Sequence, residues 1–176
     1  MSFYFSGGIL FIPSEYITMN LREMERVGHN LMLKIMEKYI KEGEKGLEIG
    51  CGDERLMNIL SKKFHLDIIC ADPYAHGKRV FNVKGEEISS LKRKFDFIYS
   101  VMSLHHIANI KKFFEEAKKS LRKEEKIMIV DWKKGVETGV YEEYFSLQEV
   151  LNLISQYFHP LEWENDAFHF YIVAKY

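Results

Sequence analysis

The feature that most constrains the fold is a short apolar strand that runs directly into a glycine turn and then into an amphipathic helix. The predicted strand covers 46–49, and Gly50 and Gly52 flank Cys51 in the turn. Apolar residues then recur at helical spacing, and they are Leu56, Met57, Leu60 and Phe64. A strand, a tight turn and a helix in this order open a βαβ unit, so a parallel sheet is expected.

The rest of the chain repeats this alternation of buried strands and amphipathic helices. Further strands are predicted at 66–71, 79–83, 95–100 and 127–130. One amphipathic helix follows the strand at 95–100, and a capping box of Ser146 and Glu149 begins another helix nearer the C-terminus. Strands that alternate with helices in this way form a mostly parallel sheet with helices on both faces.

Two parts of the chain modify the simple alternation. The closing strands at 161–164 and 168–175 are joined by a short polar turn, which implies one antiparallel member. Only about six residues separate Asp72 from Arg79, whereas a parallel crossover usually needs a dozen or more, so the helix expected there is lost or reduced. The sequence predicts an α/β fold with a Rossmann-like, doubly wound, mostly parallel sheet and one antiparallel strand near the C-terminus.

The chain before the first strand is predicted to be helical. Two helical patterns are predicted, with Gly28 as a weak position between them. Gly43 is predicted to end the second helix as its carboxy-terminal cap. The chain is therefore interpreted as one domain, 1–176, in which 1–45 form an N-terminal helical or lid extension. The aromatic residues and glycines of 1–19 favour a lid that closes over a ligand, and an extra packing strand or a disordered arm is an equal alternative.

Three groups of residues suited to binding or catalysis follow the predicted strands. Ligands of an open parallel sheet bind beyond the carboxyl ends of its strands. Glu48 and the glycines of 50–52 end the first strand, where glycine lets a ligand approach the backbone. Asp72 comes 22 residues after Gly50, a spacing that suits a carboxylate accepting hydrogen bonds from both hydroxyls of an adenosine ribose. The sequence Ser-Val-Met-Ser-Leu-His-His at 100–106 ends the fourth strand.

Together these motifs resemble class I S-adenosylmethionine-dependent methyltransferases, in particular the small enzymes grouped as type 11. The resemblance covers about 46–176 and includes the glycine turn, the acidic residue after the second strand and the strand before the Leu-His-His run. It implies S-adenosylmethionine as the cofactor and S-adenosylhomocysteine as the product. It also implies a cofactor site made of Glu48, Gly50, Cys51, Gly52, Asp72, Pro73, Glu86, Glu87 and Ser100.

The resemblance assigns a part of the cofactor to most of these residues. Glu48 would face the methionine amino group, and the glycine turn would pass under the methionine and the ribose. Pro73 would lie against the adenine, and Glu86 or Glu87 would sit near the adenine amino edge. Ser100 would line the methionine arm. The connection after the second strand is shorter than the family pattern, and this difference weakens the assignment of Glu86 and Glu87 to the adenine.

His105 and His106 are the candidate catalytic residues, since a histidine near neutral pKa can take a proton from an acceptor. Adjacent residues do not share a helical face, so only one of them needs to point into the pocket. Trp132 lines the acceptor pocket or simply packs. A sulfonium cofactor is already activated, so the absence of an unmistakable base leaves the methyl acceptor open. Glu54 stands where the family usually has a third glycine.

Two other functions compete with methyl transfer. A non-catalytic module that binds S-adenosylmethionine, or a partner subunit without turnover, would carry the same cofactor motif. A nicotinamide-dependent oxidoreductase fits less well because its fingerprint needs glycine or alanine where this chain has Arg55. Asp53 and Glu54 would also face the pyrophosphate of a dinucleotide at the helix N-terminus, which is electrostatically unfavourable.

Composition narrows the partners and the compartment. The formal charge is −1 and the basic residues form no stripe, which argues against nucleic acid and favours a small-molecule acceptor. Cys51 and Cys70 belong to no ligand-spaced motif, so neither a disulfide nor a metal site is expected. No export or membrane signal is visible, which makes the cytoplasm the default, and the oligomeric state stays open. Only two glutamines accompany many Lys and Glu residues, a balance found in proteins from hot environments.

Overall fold

A seven-stranded sheet forms the centre of the structure, a computed structural model that describes residues 19–176. Its strands are β1 (Lys45–Ile49), β2 (Asp67–Ala71), β3 (Val80–Phe81), β4 (Phe95–Val101), β5 (Leu121–Trp132), β6 (His159–Asn165) and β7 (His169–Lys175). They lie in the order β3-β2-β1-β4-β5-β7-β6. Strand β7 pairs antiparallel with both neighbours, and the other pairs are parallel. The predicted sheet with one antiparallel strand is confirmed.

Amphipathic helices cover both faces of this sheet. They are α1 (Leu21–Tyr39), α2 (Arg55–Phe64), α3 (Ile110–Ser120) and α4 (Leu147–Ile154). Helices α1 and α2 bury Met32, Met36 and Leu60 against one face, together with Tyr99 of β4. Helices α3 and α4 bury their apolar residues against the opposite face. Because each strand of a parallel sheet is covered on both sides, its residues are apolar in nearly continuous runs, as the sequence indicated.

The order in which the strands are added to the sheet reverses at β1, so β1 and β4 form a topological switch point. From β1 it moves outwards to β2 and β3, and it then returns to place β4 on the other side of β1. The connection at 72–79 between β2 and β3 contains no helix, which confirms the expected loss, and a 3-10 helix at Gly85–Leu91 follows β3. Such a switch point leaves a crevice beyond the carboxyl ends of β1 and β4.

Helix α1 corrects two predictions about the chain before β1. It runs without a break through Gly28, so the predicted division into two helical patterns is wrong. A Cβ atom at Gly28 would lie 3.0 Å from Nε2 of His169, so this glycine allows α1 to pack closely on β7. The helix ends at Tyr39, and Gly43 forms part of the turn that follows, with φ +83°, instead of capping the helix.

The predicted lid at 1–19 lies outside the described residues, apart from Met19. It therefore stays a prediction, as does the division of the chain into one domain with an N-terminal extension. Within residues 19–176, no helix has both the length and the apolar character needed to cross a lipid bilayer.

Candidate active site

The glycine turn after β1 has a closed side and an open side. Gly50 and Gly52 have φ values of +73° and +52°, a region that glycine adopts without strain. A Cβ atom at Gly50 would overlap Oγ of Ser103, whose hydroxyl donates to the carbonyl of Ile49 at 3.0 Å. A Cβ atom at Gly52 would meet no atom of the described residues within 4 Å. The turn is therefore packed against the chain after β4 at Gly50 and accessible to a ligand at Gly52.

Glu54 occupies a conformation that explains why a glycine is usual at its position. It is the N-cap of α2, with φ +60°, in the left-handed region that costs a side-chain-bearing residue roughly 1–2 kcal/mol. Its side chain makes no capping hydrogen bond to α2 and lies over the connection after β2, where a Cβ atom at Gly77 would overlap its Oε2. The departure from the family pattern is therefore a strained residue that still permits the turn.

A disulfide joins Cys51 in the glycine turn to Cys70 in β2, so the expectation of no disulfide is wrong. The Cα atoms are 6.1 Å apart, within the usual range for such a bond. The two cysteines are separated by 19 positions and belong to no short motif, so spacing alone did not indicate the pairing. The parallel pairing of β1 with β2 brings Cys70 beside Glu48 and therefore close to the turn.

Asp72 links the end of β2 to the same turn. Its Oδ2 accepts a hydrogen bond from the backbone N–H of Gly52 at 3.1 Å. Its Oδ1 accepts from the backbone N–H groups of Tyr74 and Ala75 at 2.8 and 2.9 Å. A carboxylate offers about four acceptor positions, so Oδ2 retains capacity for another donor. Pro73 and Tyr74 are exposed beside it, on a surface that a planar base could cover.

Glu48 is a buried acid at the end of β1. Its side chain is nearly inaccessible, and Oε2 accepts a hydrogen bond from the hydroxyl of Tyr99 at 2.9 Å. Burial raises the pKa of Glu48 to about 8, against the lowering effect of the Tyr99 hydrogen bond, and the negative charges of Asp53 and Asp72 add to the rise. A positively charged ligand that reached this acid would favour its ionised form, so Glu48 is suited to receive one.

The remaining predicted cofactor residues lie in different surroundings. Ser100 is buried at the end of β4, and its Oγ has no hydrogen-bond partner among the described residues. Glu86 accepts a hydrogen bond from the backbone N–H of Asn109 at 3.1 Å, at the start of α3. Glu87 is exposed on the 3-10 helix. The structure therefore places the buried Ser100 hydroxyl at the carboxyl ends of the strands. It engages Glu86 in a hydrogen bond with the backbone at the start of α3.

His105 and His106 follow β4 in a short 3-10 helix, and their environments differ. The imidazole of His105 is 3% exposed, and its Nδ1 lies 2.7 Å from Oδ1 of Asp131 at the end of β5. Oδ2 of Asp131 accepts the backbone N–H of His105 at 2.9 Å. The imidazole of His106 is 61% exposed. Asp131 therefore holds His105 in one orientation and leaves its Nε2 for other contacts.

Sequence reasoning missed the residues that complete this histidine cluster. The carboxylate of Glu142 faces both rings, with Oε2 at 3.4 Å from Nε2 of His105 and Oε1 at 3.9 Å from Nε2 of His106. The hydroxyl of Tyr144 donates to Oε2 of Glu142 at 2.9 Å, and its ring meets that of His105 edge to face. An acid at the end of the fifth strand could have indicated Asp131, but nothing local marks Glu142.

The glycine turn and the histidine cluster share one edge of the sheet. Strand β5, which carries Asp131, lies two positions from β1, or about 10 Å at the usual strand spacing. Trp132 is buried against Tyr144 and Phe168, which agrees with a packing role. A cavity of about 330 Å³ lies at the opposite edge, lined by Lys45, Arg93 and others, and includes none of the predicted site residues. The chemistry-bearing residues thus converge at the carboxyl edge.

Comparison of the sequence with known families and proteins gives two findings. A family model described as a methyltransferase domain matches residues 21–172. An uncharacterized protein of Methanocaldococcus jannaschii is 32% identical over 100 residues, which cover 55% of this chain and 48% of that protein. The chain thus spans about half the length of the curated relative that it matches.

Solved structures share the fold over most of the chain. A SAM-dependent methyltransferase from Aquifex aeolicus has a TM-score of 0.65 at 22% identity, covering 94% of this chain and 99% of that one. The cyclase SpnF has a TM-score of 0.72 at 12% identity, covering 84% and 80%. An N-methyltransferase of Haemonchus contortus, in complex with phosphomonomethylethanolamine and S-adenosylhomocysteine, has a TM-score of 0.65 at 15% identity, covering 83% and 52%. At these identities the likeness concerns the fold.

Proposed function

The chain belongs to the family of methyltransferase domains, and we propose that it transfers the methyl group of S-adenosylmethionine to a small-molecule acceptor. The observation that carries the proposal is the convergence of Glu48, the open side of Gly52 and Asp72 at the switch point of the sheet. An acid for an ammonium group, a bare backbone and an acid for ribose hydroxyls are what this cofactor requires.

The residues present fit the cofactor without rearrangement of the sheet. Asp72 retains acceptor capacity for a ribose hydroxyl, and the bare Cα of Gly52 leaves room for the ligand beside it. Glu48 is buried, and the Ser100 hydroxyl has no partner within residues 19–176, so both would gain one from the methionine arm. When bound, the cofactor supplies a methyl group on a sulfonium that is already activated for in-line displacement.

The acceptor would lie on the β4 and β5 side of the cofactor. His105 presents Nε2 there because Asp131 engages its Nδ1, and His106 borders the same space. We propose these two histidines as the side chains that act on the acceptor atom. Asp131 is a positioning residue, since it contacts His105 and orients the ring for that role.

A small molecule is the acceptor class that the chain favours. The net charge of −1 and the scattered basic residues offer no phosphate-binding stripe for a nucleic acid. The Haemonchus contortus neighbour, which shares the fold, is in complex with the small molecule phosphomonomethylethanolamine. The atom that receives the methyl group stays open within this class.

Isothermal titration with S-adenosylmethionine, S-adenosylhomocysteine and NAD tests the cofactor. We expect both adenosyl ligands to bind and NAD not to bind. Asp72→Ala should weaken their binding by about 10-fold to 150-fold, because a charged hydrogen-bond acceptor contributes about 1.5–3 kcal/mol. Asp67→Ala, at the opposite end of the same strand, is the matched control and should bind like the parent. Equal or tighter binding of NAD would contradict the proposal.

A non-catalytic module or partner subunit that binds S-adenosylmethionine is the second candidate. The cyclase SpnF shares the fold, so this architecture also serves proteins that are named for reactions other than methyl transfer, and binding of S-adenosylmethionine does not by itself establish methyl transfer. Incubation of the protein with S-adenosylmethionine and fractionated small molecules, followed by mass spectrometry, separates the two. Turnover-dependent S-adenosylhomocysteine and a methylated product support the transferase, and binding without either supports the module.

A further inference from the structure

The histidine cluster beside the acceptor space has the composition of a metal site. We propose that His105, His106 and Glu142 bind one divalent transition-metal ion there. One ring nitrogen of each histidine and a carboxylate oxygen of Glu142 all lie within 4.8 Å of one another. The inference rests on the proposed function only for the role of the ion, and the binding itself is independent of the cofactor.

The separations within the cluster suit ligands of one ion. Nε2 of His105 and Oε2 of Glu142 are 3.4 Å apart, which is too long for a good N–H···O hydrogen bond. Ligand atoms that each lie about 2.0–2.2 Å from a tetrahedral ion are separated by about 3.4 Å. The second pair, Nε2 of His106 and Oε1 of Glu142, is 3.9 Å apart, about 0.5 Å longer than that separation, and the His106 side chain is exposed.

Hydrogen bonds with neighbouring residues orient two of the three proposed ligands, His105 and Glu142. Asp131 accepts a hydrogen bond from Nδ1 of His105 at 2.7 Å, which places the proton on Nδ1 and the lone pair on Nε2. A carboxylate behind a ligating histidine is the usual support of a metal site. The Tyr144 hydroxyl donates to Oε2 of Glu142 at 2.9 Å and so orients the third ligand. His106 is the most exposed of the three and is the ligand that adjusts its position to the ion.

The ligand set selects the kind of ion. Two imidazole nitrogens and one carboxylate suit Zn²⁺, Fe²⁺, Ni²⁺ or Cu²⁺ better than Mg²⁺ or Ca²⁺, which prefer oxygen ligands. Three protein ligands leave at least one coordination position open, as in catalytic zinc sites. The open position would face the acceptor space, because His105 and His106 border it.

This site would favour an acceptor that coordinates the ion, and a hydroxyl compound illustrates the chemistry. An ion held by these three side chains would lower the pKa of a coordinated hydroxyl, whose proton would leave to solvent. The oxygen lone pair would then form the O–CH₃ bond as the bond between the methyl carbon and the sulfonium sulfur breaks. The electron pair of that bond would stay on sulfur, giving the neutral thioether of S-adenosylhomocysteine. The two histidines would then act on the acceptor through the ion, and no separate base would be needed in this step.

Calorimetric titration of the chelator-treated protein with Zn²⁺ alone tests the site. We expect one Zn²⁺ per chain, and at least a tenfold weaker affinity for Glu142→Gln and for His106→Ala. Glu143→Gln and His159→Ala are matched controls on exposed residues outside the cluster and should bind like the parent. Absence of binding, or equal affinity in the cluster variants, would overturn the proposal.

Two further measurements distinguish the histidine cluster from a thiol site and from the cofactor site. Cys51, Cys70 and Asp72 form a second group that could bind Zn²⁺ if the disulfide were reduced. A Cys51→Ser/Cys70→Ser variant lacks these thiols and should still bind Zn²⁺ at the histidine cluster. Loss of Zn²⁺ binding in that variant would count against the histidine cluster. Titration with S-adenosylmethionine should give the parent affinity in Glu142→Gln and His106→Ala. Zn²⁺ binding without cofactor binding would refute the proposed function while leaving the metal site intact.

Discussion

At the scale of single residues, the site contains groups in costly states that a ligand or a mutation would relieve. Glu48 is a buried acid that accepts a hydrogen bond from Tyr99, and the buried Ser100 hydroxyl has no partner in the described part of the chain. Glu54 and Met102 adopt positive φ values that favour glycine. Strained or unpaired groups of this kind concentrate at functional sites because the surrounding structure holds them in place. Two of these residues lead to predictions.

Glu48 should make the protein less stable as pH rises. Its pKa is about 8 in the folded protein and near the ordinary value of 4.5 in the unfolded chain. Between those values the folded protein retains a proton that the unfolded chain has lost, so the free energy of unfolding falls as pH increases. Glu48→Gln should remove this contribution, which amounts to about 5 kcal/mol at most as the pH rises from 4.5 to 8. Denaturant unfolding of the parent and the variant at several pH values measures it, and parallel pH profiles would contradict the prediction.

Glu54→Gly should stabilise the protein. Glycine removes the cost of the left-handed conformation at φ +60°, while it adds entropy to the unfolded chain, so the net gain is about 0.5–1 kcal/mol. Urea unfolding checks the change. Lys92→Gly, at a second residue with positive φ but away from the site, is the control for the size of the effect. A destabilised Glu54→Gly variant would show that the contact over Gly77 outweighs the strain.

At the scale of elements, neighbouring strands and turns hold one another in position for the cofactor. The disulfide from Cys51 to Cys70 and the hydrogen bond from the Gly52 N–H to Asp72 both tie the glycine turn to β2. On the other side, Asp131 of β5 ties the histidine segment to the sheet. The two halves of the site are therefore each supported by a pair of adjacent elements.

Loss of the disulfide should loosen the cofactor half of the site. Closing a loop of 19 residues stabilises a chain by about 3 kcal/mol, so Cys51→Ser/Cys70→Ser should unfold at lower denaturant. Its affinity for S-adenosylhomocysteine should also fall, because only hydrogen bonds then hold the turn to β2, from the N–H of Gly50 to the carbonyl of Ala71 and from the N–H of Gly52 to Asp72. A reducing agent should reproduce both effects in the parent and change nothing in the variant. Two free thiols in the non-reduced native protein would contradict the bond.

At the scale of the whole molecule, helices cover both apolar faces of the sheet, and the candidate site residues lie at the carboxyl ends of its strands. Helices α1 and α2 cover one face, and α3 and α4 cover the other. The long segment between β5 and α4 contributes Glu142 and Tyr144 near the carboxyl ends of β4 and β5. That arrangement brings the residues proposed for the cofactor and those proposed for the acceptor to the same end of the sheet.

Closure of this surface by the N-terminal segment stays a prediction from the sequence. Deleting 1–13 should leave the sheet folded, because every described strand and helix lies at or beyond residue 21. Binding of S-adenosylhomocysteine or of the acceptor should weaken if the segment excludes water from the site. Circular dichroism and calorimetry measure the two effects. The sequence offers one alternative, the connection at 133–145, which is the other long segment predicted at the carboxyl ends of the strands. Unchanged binding after the deletion would shift the closing role to that connection, and its protection from proteolysis by S-adenosylhomocysteine can be tested separately.

The sequence by itself determined the order of the elements and the residues that we propose for the cofactor. Short apolar runs indicated the strands, and apolar residues at helical spacing indicated the helices between them. The glycine turn, Asp72 and the spacing between them are local signals that can be read from the sequence alone. Helix α1 was predicted less well because Gly28 was interpreted as a break, whereas contact with His169 in β7 explains it. Local pattern cannot show that a glycine serves packing between residues 141 positions apart in the chain.

Only the tertiary structure decided the pairing of Cys51 with Cys70 and the cluster of His105, His106, Glu142 and Asp131. The parallel pairing of β1 and β2 sets the first, and the neighbouring carboxyl ends of β4 and β5 set most of the second. Side chains from distant positions meet there because strand order, not distance along the chain, decides which ends are adjacent. The strand order depends on how the whole sheet buries its apolar faces and not on any local signal. Contacts between side chains at neighbouring strand ends can therefore be identified only in the complete fold.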